Sequence, residues 1–341
     1  MKFLNAELDV KNLYIKQDAA TGLIAIIAIH NTTNGPALGG CRFVNYASVD
    51  DAINDVIRLA RAMTYKSAMA GLPLGGGKSV IISHPGITDK QKIFEQFGEL
   101  VDSLNGEYIT ASDSGTSETE MKIVATRTKH VTSINKSSES LDDTAYMTSV
   151  GLVRAMEAAV AYRLNKDSLS GVRVAIQGAG NVGYLVAKML LDKGAEVVIT
   201  DKNTELLNMR ANELAISAAH PETFAETECD IFAPCALGGV MNSATIAKLK
   251  APIVCGAANN QLQDQMAGEQ LYENNILYIP DYVANAGGVI CAAAQAGTIS
   301  KDESWNKMLN IYDSVTNVVS LSQEMKKPTN FVANYLAEQR F

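Results

Sequence analysis

Apolar residues fall along this chain in two rhythms. In the first part, LIAIIAIHN (Leu23 to Asn31) is a β-branched run of strand length, whereas VDDAINDVIRLARAMTYKSAMAG repeats its apolar positions at i, i+3 and i+4, the period of an amphipathic helix. A second strand, SVIIS, is predicted after the glycines at 75–77, and KIFEQFGELVDSLNG then reads as a helix ending at Gly106. The stretch INKSSESLDDTAY is polar, serine-rich and aperiodic, which places a domain boundary near residue 140. From about residue 150 helices and short apolar strands alternate: GLVRAMEAAVAYRL, VRVAIQG, NVGYLVAKMLLDKG, EVVITD, NTELLNMRANEL, then DIFAPC, PIVCGA and LYIPD. Apolar strands alternating with helices suit a parallel sheet covered on both faces. ESWNKMLNIYDSVTNVVSLSQEMKK and NFVANYLAEQRF read as two final helices, the second (328–341) expected to fold back on the first domain.

The predicted architecture is therefore α/β. An N-terminal α/β domain with a mixed sheet (1–140) precedes a C-terminal doubly wound Rossmann-type domain (141–327), with an active-site cleft expected between them. At 341 residues both domains are large enough to bury a core. The 29 Lys+Arg against 37 Asp+Glu give a net charge of −8, which argues against nucleic acid or an anionic membrane as partner. Runs such as Leu23 to Ile29 are far shorter than the ~20 residues that span a bilayer, and MKFLNAELDVKN lacks the pattern of a secretory leader. The five cysteines (Cys41, Cys229, Cys235, Cys255, Cys291) are odd in number and form no CxxC pair, so no metal or disulfide framework is expected and a reduced cytoplasmic setting fits.

The chemistry concentrates in four segments. VRVAIQGAGNVGYLVAKML carries GxGxxG as Gly178, Gly180 and Gly183 between a predicted strand and a predicted helix, the context in which that spacing means dinucleotide binding. Asp201, at the end of the next strand, is placed to accept from both ribose hydroxyls and to repel a 2′-phosphate, which points to NAD. In MTYKSAMAGLPLGGGKSVI, Lys66 and Lys78 bracket Gly75, Gly76 and Gly77. The phosphate-loop pattern fails, because five residues rather than four separate Gly71 from Gly77. The glycines suggest instead a backbone that approaches a ligand, and two lysines in one cleft repel, so that one can shed its proton near neutral pH. GEYITASDSGTSETEM leads a strand into Asp113, a carboxylate able to relay protons beside a lysine base. In CGAANNQL, Asn259 and Asn260 follow a strand at the carboxyl edge of the second sheet, where open α/β sheets bind ligands.

Together these stretches resemble the Glu/Leu/Phe/Val amino-acid dehydrogenase superfamily, and within it the branch of leucine, phenylalanine, valine and tryptophan dehydrogenases. The likeness runs from GPALGGCRF (35–43) through MTYK, LPLGGGKS, ITASDSGTS, QGAGNVG, CDIFAPCALGG and GAANNQL to PDYVANAGGVI (280–290). It implies reversible NAD-dependent oxidative deamination of an L-amino acid to the 2-oxo acid and ammonium. It also implies roles: Lys66 and Asn260 on the substrate carboxylate, Lys78 as a low-pKa general base, Asp113 in proton transfer. Gly39 and Gly40 would form a loop close to the substrate, and Leu38, Ala111, Val289 and Ala292 would line the side-chain pocket. Gly178, Gly180, Asn181, Val182, Gly183, Asp201, Cys235, Ala236 and Asn259 would contact the cofactor. The family's proline-containing segment before the first helix of the nucleotide domain is replaced here by DDTAYMTSVGLV. Aligning Gly151 without a gap puts Thr148, rather than Thr144, at the position expected near the nicotinamide amide.

Ala111 resembles the leucine-type enzymes and the small Ala292 enlarges the pocket. Leucine and other branched-chain amino acids are thus the expected substrates, with phenylalanine or tryptophan next; glutamate lacks a cation among the pocket positions. A non-catalytic nucleotide sensor would be expected to have lost Lys78 or Asp113. A 2-hydroxy-acid dehydrogenase would want a histidine, and His30, His84, His130 and His220 fall in no cleft motif. A homo-oligomer with a dimer as its minimal unit is expected.

Overall fold

The computed structural model describes residues 9–87, 89–134, 141 and 143–341. The chain divides into two compact units: residues 1–137 with 292–301 and 340–341, and residues 138–291 with 302–339. The boundary expected near 140 and the N-terminal residues read for a leader lie outside the described residues.

The first unit contains β1 (Asn12–Asp18), β2 (Leu23–Asn31), β3 (Ala37–Val44), α1 (Val49–Met69), β4 (Gly75–Ile82), α2 (Lys90–Ser103), β5 (Tyr108–Ser112) and α3 (Glu118–Ala125). Its five strands lie in the order β1-β2-β4-β3-β5. β1–β2 and β2–β4 are antiparallel, β3–β4 and β3–β5 parallel, so the sheet is mixed. Each face carries its own core. Ile26, Ala28, Val80 and Ile82 pack on Ala52, Ile53, Val56 and Ala60 of α1. Ile27, Ile29, Ile81 and Tyr108 pack on Phe94, Phe97 and Val101 of α2 and on Met121 and Val124 of α3. GPALGG, expected as a loop, is the start of a strand: Ala37 and Leu38 pair with Gly75 and Gly76 on one side and with Tyr108 and Ile109 on the other. Likewise the glycines at 75–77 open β4 instead of preceding it.

The second unit contains α4 (Thr144–Leu164), β6 (Arg173–Gln177), α5 (Asn181–Asp192), β7 (Glu196–Thr200), α6 (Thr204–Leu214), β8 (Ser217–Ala218), β9 (Ile231–Pro234), α7 (Ser243–Ile246), β10 (Ile253–Val254), α8 (Gln265–Glu273), β11 (Leu277–Tyr278) and α9 (Asp281–Ala284). Then follow α10 (Gly287–Gln295), which the division into units cuts after Cys291, α11 (Lys301–Leu309), α12 (Ile311–Met325) and α13 (Thr329–Glu338). Six parallel strands lie in the order β11-β10-β9-β6-β7-β8. Numbered from β6, that is 3-2-1-4-5-6 read from the far edge, the Rossmann order, whose switch point falls between β6 and β9.

Two helix expectations are corrected. ESWNKMLNIYDSVTNVVSLSQEMKK is not one helix but two, α11 and α12, parted at Asn310. The final helix does not fold onto the first unit: α13 packs against α12, α8 and β11, burying Val332, Ala333 and Ala337, and the Thr329 hydroxyl donates to the Tyr278 carbonyl of β11. Only Arg340 and Phe341 beyond it join the first unit. No helix among the described residues is long and apolar enough to cross a membrane.

Candidate active site

In the first unit the candidate residues share a sheet face. Ala28, in the core beneath α1, pairs with Lys78, and Gly76 lies two residues before it, so both point to the α1 side. Leu38 pairs with Gly76 and Ile109, and Gly40 with Ala111, which brings Leu38, Gly40, Lys78 and Ala111 onto that same face. Gly76 allows α1 to close on β4. A β-carbon on it would stand 2.1 Å from the Thr64 nitrogen and 2.3 Å from the Thr64 hydroxyl. Lys66 lies two residues beyond Thr64, half-buried in the last turn of α1.

Asp113, just beyond β5, bonds the Lys78 ammonium through Oδ2. Gly40 leaves it the space: a β-carbon there would be 2.8 Å from Cβ of Asp113. The loop after Asp113 is tied to β3, because Thr116 Oγ1 accepts from the Asp113 amide at 2.8 Å and donates to the Cys41 carbonyl at 2.8 Å. The same segment also caps a helix, since Ser117 caps α3 in a reciprocal pair with Glu120. The triple glycine and the Gly39–Gly40 pair thus receive the protein's own atoms: the β-carbon of an alanine at 39 would lie 1.7 Å from the Gly77 carbonyl oxygen. The direct ion-pair partner of Lys78 is a carboxylate rather than a second lysine.

Burial pushes the Asp113 carboxyl up, but the adjacent Lys78 ammonium and the Arg42 guanidinium outweigh it and hold the pKa at about 2. Because this lies below the ordinary value, the carboxylate's contribution to stability is complete above about pH 4 and is lost as pH falls through about 2. Wild type should accordingly lose stability over that interval in acid titrations followed by circular dichroism, and Asp113→Asn should lack this increment. A kcat/KM transition above about pH 5 belongs to some other group.

Arg42 was not anticipated from the sequence. Its Nε lies 3.4 Å from Asp113 Oδ2 and its Nη1 donates at 2.8 Å to Asp55, which also accepts from Tyr46 and Arg58. The alternation of β3 could have found it, since Arg42 follows Leu38 and Gly40 on one face. Tyr108 supports the strands from the opposite face. Its hydroxyl donates to the Gly39 carbonyl at 2.6 Å and lies 3.0 Å from Ser79 Oγ. Tyr108→Phe should cost about 1–3 kcal/mol in urea unfolding, because the buried Gly39 carbonyl loses that partner; unchanged stability would refute this.

In the second unit the glycines separate by role. Gly178, at φ +119°, turns the chain at the end of β6, and a β-carbon there would crowd Cys235 and Ala236 beyond β9 at 2.9 Å. Gly183 seats α5 against the turn, with only 1.9 Å between its imagined β-carbon and the Gly178 carbonyl oxygen. Before Gly180, by contrast, nothing lies within 4 Å. Gly180 is also the N-cap of α5 and supplies no side-chain cap. The start of α5, with Asn181, Val182 and Gly183, thus presents amide donors beside open space at the switch point, which fits a dinucleotide's pyrophosphate. Asp201 accepts from the Ala179 amide at 2.8 Å and from the Asn203 amide at 2.8 Å, which fixes the carboxylate against the glycine turn.

Thr148 lies one turn into α4 and donates to the Thr144 carbonyl; a β-carbon on Gly288 would be 3.0 Å from its hydroxyl. Asn260 adopts φ +52°, with its amide bonded to Asp281 and its carbonyl accepting from Gly239. Asn259 Oδ1 accepts from Asn285 at 3.0 Å. Asn285 is a second residue the sequence reading passed over: 2% exposed, it also donates to the Ala257 carbonyl, while its own side-chain oxygen has no hydrogen-bond partner. Val289 and Ala292 are both buried on α10, the former grouped with the second unit and the latter with the first. Among the described residues no cluster of three or more His, Cys, Asp or Glu could hold a metal.

Comparison with known proteins decides the family. Residues 9–130 match the model described as "Glu/Leu/Phe/Val dehydrogenase, dimerisation domain", and 140–216 with 200–340 match "Glutamate/Leucine/Phenylalanine/Valine dehydrogenase". The chain belongs to the Glu/Leu/Phe/Val dehydrogenase family. It is 43% identical to leucine dehydrogenase of Geobacillus stearothermophilus over 97% of this chain and 90% of that one. Valine dehydrogenase of Streptomyces virginiae is 40% identical (95% and 91%). Among solved structures, L-tryptophan dehydrogenase from Nostoc punctiforme superposes with a TM-score of 0.85 at 35% identity, covering 98% of this chain and 96% of that one. The protein is an amino-acid dehydrogenase that uses a nicotinamide dinucleotide. Oxidative deamination, expected from the motifs, is supported by these relatives.

Proposed function

We propose that this dehydrogenase acts on L-leucine and other branched-chain L-amino acids with NAD, producing the 2-oxo acid and ammonium. The observation that carries the reading is the Lys78–Asp113 pair on the sheet face shared with Leu38 and Ala111. Every assigned pocket position, Leu38, Ala111, Val289 and Ala292, is apolar and buried, which suits an uncharged aliphatic side chain and disfavours glutamate. The small Ala292 supports the second reading, the same reaction on phenylalanine or tryptophan.

Bound NAD would supply the acceptor for the hydride that leaves the substrate α-carbon. Gly178, Gly180 and the amides of Asn181, Val182 and Gly183 would hold its pyrophosphate, and Asp201 its ribose. Thr148, Cys235, Ala236 and Asn259 are the other cofactor contacts in this reading. Lys66 and Asn260 bind the substrate carboxylate and thereby orient the α-carbon. Lys78 takes a proton from the water that adds to the iminium carbon. Asp113 stays ionised and keeps the Lys78 nitrogen in place. Lys78 returns that proton to the amine and takes the hydroxyl proton as the carbinolamine collapses to the oxo acid and ammonia, which then leaves as ammonium. The active form in this reading is a homo-oligomer built on a dimer.

Initial rates of NADH formation on leucine, isoleucine, valine, phenylalanine, tryptophan, glutamate and alanine test the substrate assignment. The highest kcat/KM is expected on a branched-chain substrate, and a higher value on an aromatic one selects the second reading. For the cofactor, Asp201→Ser should raise the KM for NAD about tenfold or more, the effect of losing a charged hydrogen-bond acceptor, while improving the use of NADP. Unchanged NAD kinetics would remove Asp201 from the ribose site.

A further inference from the structure

Three contacts join the residues that follow α13 to the turn of α1 bearing Lys66. The guanidinium of Arg340 donates to the Ala68 carbonyl at 2.9 Å and lies 3.3 Å from the Met69 carbonyl. These are among the last carbonyls of α1, which ends at Met69; the Ala68 carbonyl also accepts the Gly71 amide at 3.1 Å, and a cation there complements the negative end of the helix dipole. The Phe341 ring meets Tyr65 edge-on at 5.3 Å and His30 at 6.2 Å. His30 in turn is bonded through Nδ1 to Thr64 Oγ1 at 2.8 Å. The Arg340 carbonyl accepts from Asn34 at 2.7 Å, which ties the same dipeptide to the β2–β3 connection. Thr64, Tyr65, Ala68 and Met69 are therefore gripped around Lys66, and Thr64 is the residue seated on Gly76, two positions from Lys78.

We propose that Arg340 and Phe341 are positioning residues for the amino-acid substrate: together they clamp the last turn of α1 and so fix the direction in which Lys66 leaves it. The proposal rests on the assignment of Lys66 to the substrate carboxylate. A lysine side chain has several rotatable bonds, so a small drift of its helical turn moves the ammonium by more than a hydrogen bond tolerates. No group of the clamp belongs to the cofactor segments, so the effect is confined to the amino acid.

The test is steady-state kinetics on Arg340→Ala, Arg340→Lys, Phe341→Ala and Phe341→Tyr in the full-length protein, with hydrogen exchange of the amides of Ala70, Gly71 and Leu72. Both alanine variants should raise the KM for the amino acid about five- to tenfold while leaving kcat and the KM for NAD within about twofold. Arg340→Lys and Phe341→Tyr should restore most of the loss, and the three amides should exchange faster in Arg340→Ala. In a Lys66→Ala background Arg340→Ala should add nothing. An unchanged KM, an equal rise in both KM values, or an additive effect on Lys66→Ala overturns the proposal. If the wild type turned over none of the amino acids tested, the functional reading would fail, and with it the Lys66 role; exchange of the three amides would still report separately whether the clamp exists.

Discussion

Lys78→Ala is expected to lower kcat about a hundred- to ten-thousand-fold, the range typical for removing a positioned proton-transfer group. The fall should appear in the steady state while a single turnover still forms NADH, because the missing group acts on the iminium left after hydride transfer. It should also destabilise the protein. Asp113 would keep Arg42 and the Ser114 amide but lose the ammonium that bonds it, and breaking a largely buried pair on one side costs up to about 3–5 kcal/mol. Lys78→Met with Asp113→Asn separates the two effects: stability should recover while activity does not. A Lys78→Ala enzyme that retained kcat within threefold of wild type would remove Lys78 from the mechanism.

Two glycine substitutions should have opposite signatures. Gly76→Ala drives a methyl group to 2.1 Å from a helix backbone nitrogen, and neither partner is a flexible chain end. Overpacking of this kind costs typically 1–3 kcal/mol and sometimes more, so a loss of about 3 kcal/mol or above is expected by urea unfolding. Gly180→Ala meets nothing within 4 Å and keeps a negative φ of −65°, so the fold should tolerate it to within about 0.5 kcal/mol. Its methyl would instead occupy the open space before α5, and the dissociation constant for NAD, read by fluorescence titration, should rise at least about tenfold. Equal stability of the two variants, or undisturbed NAD binding by Gly180→Ala, would contradict the division between packing glycines and an approach glycine.

The sequence carried the second unit well, because strand–glycine turn–helix periodicity reports local geometry directly. Through the family motifs it singled out Lys78 and Asp113, which the fold brings together as an ion pair. It misassigned the glycines of the first unit, because GPALGG and LPLGGGKS look the same whether a ligand or a neighbouring strand occupies the room; only the pairing of β3 with β4 and β5 separates these cases. Arg42 and Asn285 escaped for a related reason. Each acts through partners distant in sequence, Asp113 at 71 positions and Asn259 at 26; the alternation of β3 puts Arg42 on the face of Leu38 and Gly40 but does not say what it meets there. The last helix was misplaced because its apolar stripe says that it packs, not on what.

The first unit is not a contiguous stretch of chain. Residues 292–301 complete it, and the side chain of Gln295 accepts the Ser133 amide at 2.9 Å, so this piece is synthesised only after the whole parallel sheet. On the ribosome the N-terminal residues must therefore wait, folded but unfinished, while the nucleotide unit emerges. The same discontinuity governs recombination between relatives. A chimera cut once near residue 137 would pair Ser133 of one parent with the α10 of another, whereas one that moves 292–301 together with the N-terminal unit preserves the join.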